Sequence, residues 1–235
     1  MIIPALDGSL KNAGVGAVTV TGGIETTIGG YKYHTFNSSG TLVVSGGSKA
    51  IEYLIVGGGS GGSANLNNVR GGASAGGVQN NTTTLTAGSY SVTVGIGGTN
   101  GNPPNAGGNS SFNEVTAGGG QPPTGNAGGT SGSPQSNAGG SGAGGYSGGG
   151  GGAGSAGSNA YDSGDDTFRG SGGAGLTVWG TVYARGSPSF QLYASDSYTF
   201  VPVSNRGDAA GGPLNGFGLP STNGMAGVVV VRYPV

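Results

Sequence analysis

Asp162, Asp165 and Asp166 are the only closely spaced carboxylates in this 235-residue chain. They lie in Tyr161-Asp162-Ser163-Gly164-Asp165-Asp166-Thr167-Phe168-Arg169. Carboxylate oxygens are the ligands that Ca²⁺ takes, and two carboxylates at the right separation can hydrolyse a glycoside. The glycine-rich setting favours a solvated loop over either role, and a single acidic cluster is a poor basis for degrading a polysaccharide. His34 is the only histidine and there is no cysteine. Catalytic triads and zinc sites of the usual kinds therefore cannot be assembled, and His34 reads as structural. Gly-x-Gly-x-x-Gly recurs, as 59 glycines guarantee, but no Gly-Lys dipeptide follows it, so the phosphate-binding P-loop is absent. Arg206-Gly207-Asp208 has the form of an integrin-binding tripeptide and reads as a turn. The expectation is a protein that is not an enzyme, with no catalytic residue, metal or cofactor.

Rings and directional hydrogen-bonding groups remain. Tyr161, Phe168, Arg169, Trp179, Tyr183, Phe190, Tyr193 and Tyr198 concentrate bulk and charge in segments 158–169 and 176–219. Aromatic rings stack on sugars, while Asp, Asn and Arg supply oriented hydrogen bonds. A core made of glycine gains nothing from such residues. They either build a small separate sheet or face a partner, and these eight are the candidate ligand-binding set.

The elements that must position them are unusual. Glycine is 59 of 235 residues, against about 7% in ordinary chains. From Gly57 to Gly175 the chain is almost wholly Gly, Ala, Ser, Asn and Pro. Disorder normally accompanies high net charge and few aromatics. Here the net charge is −1, with ten Tyr, six Phe and one Trp, which favours a folded protein over a floppy linker. Ala-Gly-Gly recurs at Ala106, Ala117, Ala127 and Ala138, with Pro103-Pro104, Pro122-Pro123 and Pro134 in the gaps. Strict Gly-X-Y register is absent, so collagen is excluded. Short runs of extended threefold helix, turning back at proline, asparagine and serine, fit the pattern, because only glycine lets such helices approach closely.

Around the glycine stretch lie strand signals. Gly14–Val20 could form a short strand. Tyr31–Phe36 and Thr41–Val44 read as two strands joined by a turn, and Ile51–Val56 as a buried strand. Ser89–Val94 alternates cleanly, Ser111–Thr116 is a weaker strand, and Val228–Val231 should close a sheet with the N-terminal strands. No window has helical periodicity. The fold class is mainly β with a bundle of polyglycine-II or polyproline-II-type helices and essentially no α-helix. The segments read as an N-terminal attachment piece (1–28), a β region with the first glycine runs (29–96), the glycine bundle (97–175), an aromatic insert with recognition loops (176–219) and a closing strand (220–235).

With 8 Lys+Arg and 9 Asp+Glu, the chain has no basic patch for nucleic acid. Met1-Ile2-Ile3-Pro4 has no basic start and reads as no secretory leader, and no apolar run is long enough for membrane insertion.

Five segments in order resemble the glycine-rich domain of phage tail-fibre and tail-tip proteins: 30–41, 51–59, 86–95, 109–112 and 227–233. The chain is also similar to receptor-binding adhesins of tailed phages, whose glycine helices form a stacked core with recognition loops at one end. The resemblance implies an extracellular virion protein of the tail that binds a host cell-surface receptor and other tail or fibre proteins. It implies a homo-oligomer, a trimer, or a monomeric tip on a trimeric fibre. The alternative is a purely structural virion protein, a fibre knob or decoration protein, with no ligand. The aromatic segment 176–219 departs from the plainest members of the family, which have mostly glycine there.

Overall fold

The computed structural model describes residues 17–63, 71–143, 146–162, 167–189, 200–210 and 222–235. Among these the chain is mainly β-sheet, with no helix. One five-stranded sheet contains, side by side, β1 (Thr19–Thr21), β4 (Gly40–Ser45), β7 (Gly88–Thr93), β8 (Ser110–Phe112) and β9 (Val115–Ala117). The other contains β2 (Ile24–Ile28), β3 (Tyr31–Phe36), β14 (Val228–Pro234), β5 (Lys49–Val56) and β6 (Val78–Leu85) in that order. Every pairing is antiparallel.

The sheets form a sandwich. Leu42, Val44, Val92 and Phe112 of the first meet Ile51, Tyr53, Ile55, Val229 and Val231 of the second in one buried cluster. Strand alternation sends Leu54, Val56, Val228 and Val230 to the outer face of the second sheet. There they are buried again, against Ala75, Ala153, Val178 and Ala184. A strand covered on both faces has no solvent side, which is why β5 and β14 contain the unbroken apolar runs Tyr53–Val56 and Val228–Val231. In β4, covered on one face, Leu42 and Val44 are buried while Thr41 and Val43 are exposed.

The two expected strands β3 and β4 are joined by the short connection Asn37-Ser38-Ser39, which carries the chain across the sandwich. Phe36 and Leu42 are both core residues, and the core lies between the sheets, so the two strands face each other rather than pair. β14 takes the place beside β3, from Val229↔Phe36 to Pro234↔Tyr31. Ser111–Thr116 is not one strand but the hairpin β8–β9, turned by Asn113 and Glu114 at φ 47° and 66°.

Between strands the chain leaves the sandwich and returns as extended glycine runs, hydrogen-bonded to one another. In the run 147–154, Gly149 and Gly152 donate to Ser158 and Ser155, and Gly150 and Ala153 donate to Ser187 and Ala184. Gly148 and Gly151 donate to Asn126 and Gly129, all six bonds being 2.9–3.0 Å. Each neighbouring run is thus met by every third residue, whereas a β-strand addresses a neighbour with period two. The carbonyls of this run accept from Gly72, Ala75, Gly140 and Gly173, so other runs surround it. Close approach requires the glycines: a Cβ at Gly128 would fall inside the Gly149 carbonyl, and one at Gly139 inside the Gly128 carbonyl.

The array has two ends. At the sandwich end, Gly57 donates to Gly77, Gly77 to Gly118 and Gly227 to Gly95, all next to strands. At the far end, Gly101 donates to Gly62, Gly62 to Thr222, Gly71 to Gly125, Gly148 to Asn126, Gly170 to Ser147 and Ser189 to Gly170. Two short hairpins complete the fold. β10 (Tyr161–Asp162) pairs with β11 (Thr167–Phe168) at the far end, and β12 (Leu176–Val178) pairs with β13 (Thr181–Tyr183) at the sandwich end.

Candidate functional site

The sequence-derived aromatic set is divided between these two ends. Tyr161 opens β10 and Arg169 follows β11 at the far end. Tyr161 is 62% exposed, and Ala160 before it is anchored by donating to the Ser141 carbonyl. Arg169 is half-buried, and its Nη2 is buried with no hydrogen-bond partner among the described residues. Phe168 pairs with Tyr161 through the hairpin backbone. Phe190, Tyr193 and Tyr198 lie outside the described residues, as do Asp165 and Asp166. Chain that is described ends at Ser189 and at Ala210 and resumes at Phe200 and Thr222. Among the described residues no group of His, Cys, Asp or Glu could hold a metal ion.

Trp179 and Tyr183 are at the opposite end. Their position follows from a two-residue turn: Trp179 and Gly180 have φ 49° and 77° between Val178 and Thr181, the pattern of a type I′ hairpin. The hairpin stands beside the edge of the second sheet where the glycine array does not cover it. Tyr33 and Thr35 of β3 point to that outer face, opposite Thr26 and Ile24 of the edge strand β2. Together with the turn Ser204-Asn205-Arg206 they enclose a groove of about 410 Å³. Its other walls include Thr181, Tyr183 and Asn37.

The aromatic wall is held rigidly. The Arg232 guanidinium lies 4.1 Å from the Trp179 ring centre and 4.4 Å from that of Tyr31. The same guanidinium donates from Nε and Nη2 to Glu52 at 2.9 and 2.6 Å, and from Nη1 to the Tyr33 hydroxyl at 3.1 Å. Trp179 meets Tyr33 edge to face at 6.3 Å, a favoured aromatic geometry. The Arg206 guanidinium lies 6.0 Å from the Tyr183 ring centre. Burial raises the Tyr183 phenol above its ordinary pKa, so it remains a neutral donor at physiological pH. Sequence reasoning missed Tyr33, Asn37, Asn205 and Arg206 as groove residues. The alternation of Tyr31, Tyr33 and Thr35 marked one face of β3, but nothing local pairs that face with a turn far along the chain.

Two other residues with possible chemistry are structural. Asp208 is fully buried. Its Oδ1 accepts from the Arg185 amide at 2.9 Å, and its Oδ2 accepts from Arg185 Nε at 3.1 Å and from the Val203 amide at 2.9 Å. The Arg-Gly-Asp tripeptide is a turn whose carboxylate is turned inward. His34 is also fully buried, with Nδ1 2.8 Å from the Gly22 carbonyl and Nε2 3.3 Å from the Tyr233 hydroxyl. Burial lowers its pKa, which fits a neutral ring donating from Nδ1 and accepting at Nε2.

The sequence profile of the glycine-rich domain family matches residues 34–234, a span that takes in the array and both sheets except β1, β2 and the start of β3, and all of the groove lining except Thr26, Ile28 and Tyr33. The chain belongs to the glycine-rich domain family. Neither the curated proteins nor the solved structures contain a significant match.

Proposed function

We propose that this chain is a non-enzymatic phage tail-fibre or tail-tip protein that holds a host-surface receptor, a glycan or an outer surface protein, at the far end of its glycine array. The observation that carries this reading is topological. The runs 57–63 and 71–77, 95–101 and 105–108, and 170–175 and 184–189 lead away from the sandwich or back to it. Their described far ends, at Gly62, Gly71, Gly101, Gly170 and Ser189, lie opposite the sandwich, at the end of the array that carries Tyr161 and Arg169. Binding residues usually lie on loops held by a rigid scaffold.

The runs themselves we read as polyglycine-II-type threefold helices. The three-residue recurrence of their partners supports this, since such a helix has 3 residues per turn. A seven-residue run then spans roughly 20 Å at about 3.1 Å per residue, which separates the receptor end from the sandwich. The ordered likeness to tail-tip segments supports a place in the virion, as a trimer or as a tip on a trimeric fibre. The nearly neutral surface lacks the charge that keeps chains apart.

The test is adsorption of the purified, labelled chain to a panel of bacterial cells. The expected result is saturable binding to susceptible cells. That binding falls at least tenfold in Tyr161→Ala and when residues 190–199 are replaced by a Gly-Ser linker, with circular dichroism unchanged. Undiminished adsorption by both folded variants, or no adsorption to any cell, would overturn the receptor reading and leave a structural virion protein.

A further inference from the structure

The groove at the sandwich end lies a whole array away from the surface proposed for receptor binding, and it has its own chemistry. Its walls combine aromatic rings (Trp179, Tyr183), side-chain amides (Asn37, Asn205), hydroxyls and one guanidinium (Arg206), with no carboxylate among the lining residues. Its volume of about 410 Å³ falls within the range of about 300–1,000 Å³ typical of small-molecule sites. We propose that this groove binds an acidic sugar, a pyranose carrying a carboxylate.

Each part of that ligand has a counterpart. The apolar C–H face of a pyranose suits the negative face of an aromatic ring. Ring hydroxyls both donate and accept, which the amides and the threonine and serine hydroxyls match. The carboxylate selects Arg206, because guanidinium–carboxylate pairing is charge-assisted and can be bidentate. The Arg206 guanidinium lines the groove, and its hydrogen bond from Nη1 to the Val182 carbonyl is long, at 3.4 Å. The walls are also preorganised. Arg232 fixes the indole from its own ion pair with Glu52, and the positive φ of 55° at Asn205 holds the turn in its tight form. A site whose side chains are already ordered loses little entropy on binding.

Trp179 is the only tryptophan in the chain, so its emission reports on this groove alone. The full chain is titrated with glucuronate and, in parallel, with glucose, at constant ionic strength set by sodium chloride. The expected result is a saturable shift in Trp179 emission with glucuronate, at an affinity at least tenfold above that for glucose. In Arg206→Gln that preference disappears, and in Asn37→Ala both sugars weaken. A glucuronate oligomer and the free monosaccharide should give the same signature if one residue occupies the groove. No saturable shift with either sugar would overturn the site. Equal binding of both sugars, unchanged in Arg206→Gln, would overturn its acidic selectivity. Neither outcome depends on cell adsorption, so this site and the receptor surface fail separately.

Discussion

At the scale of single residues, the groups that looked capable of chemistry are part of the fold. His34 faces Glu25 of β2, 3.7 Å away, with Lys32 nearby and Tyr233 on β14, yet desolvation dominates and depresses its pKa. The unfolded chain then binds the proton more readily than the native one, so stability rises with pH across that interval. The His34 contribution is complete above the unfolded pKa of about 6.5 and is lost as pH falls toward the folded value. Urea midpoints from pH 8 to pH 5 should therefore decline below about 6.5 in the wild type. His34→Phe should be flat over that interval, and less stable at pH 7 by about 1–3 kcal/mol for the unpaired Gly22 carbonyl. A wild-type midpoint that does not fall would contradict the assignment. Asp208→Asn leaves Arg185 without its buried partner and sets an amide against N–H donors. It should cost about 3–5 kcal/mol, the usual loss on breaking a buried pair, measured by chemical denaturation. The solitary histidine was legible as structural because one histidine builds no catalytic set. The Asp208 lock was not, since its partner is 23 residues away and the tripeptide reads only as a turn.

At the scale of elements, β5, β7 and β14 were legible because their side-chain patterns follow burial directly. β2 and β6 were not. Ile24-Glu25-Thr26-Thr27-Ile28 and the Asn-Thr series of β6 lie at sheet edges, where all of β2 and most of β6 face water and leave no clean alternation. The turn between β3 and β4 was legible, but not the sheet each strand enters, because a turn sequence specifies a reversal and no partner. The glycine runs were legible as packed by composition and by their proline punctuation, but not in their pairing, because glycine has no side chain to mark a neighbour. Trp179 and Tyr183 were legible as bulky residues out of place in a glycine core, whereas their separation from Tyr161 depends on the direction of each run. Sterics make the packing testable. Gly128→Ala places a methyl in the Gly149 carbonyl and should abolish cooperative folding, as should Gly139→Val. Gly88→Ala, whose new carbon meets nothing closer than the Tyr90 ring at 3.9 Å, should shift the thermal midpoint by no more than a few degrees. Equal tolerance at positions 88 and 128 would contradict close backbone packing.

At the scale of the whole molecule, a sandwich with an ordinary apolar core closes one end of a body whose interior is mostly backbone. Outside the sandwich's own core, that body depends on amide hydrogen bonds between runs and on burial of small residues such as Ala73, Ser74 and Ala75. Light scattering should find a trimer, or a monomer that binds a trimeric fibre component; a strict monomer with no affinity for any tail component would count against both forms. The glycine stretch is a hydrogen-bonded body rather than a linker between strands. Native-state amide hydrogen exchange tests it most directly. The amides of Gly77, Gly132, Gly150 and Gly151 donate to Gly118, Ala75, Ser187 and Gly129, and all four residues are buried. They should exchange as slowly as the amides of β5 and β14, and only through global unfolding. Exchange of these four at the rate of a free peptide, while β5 and β14 stay protected, would contradict the account.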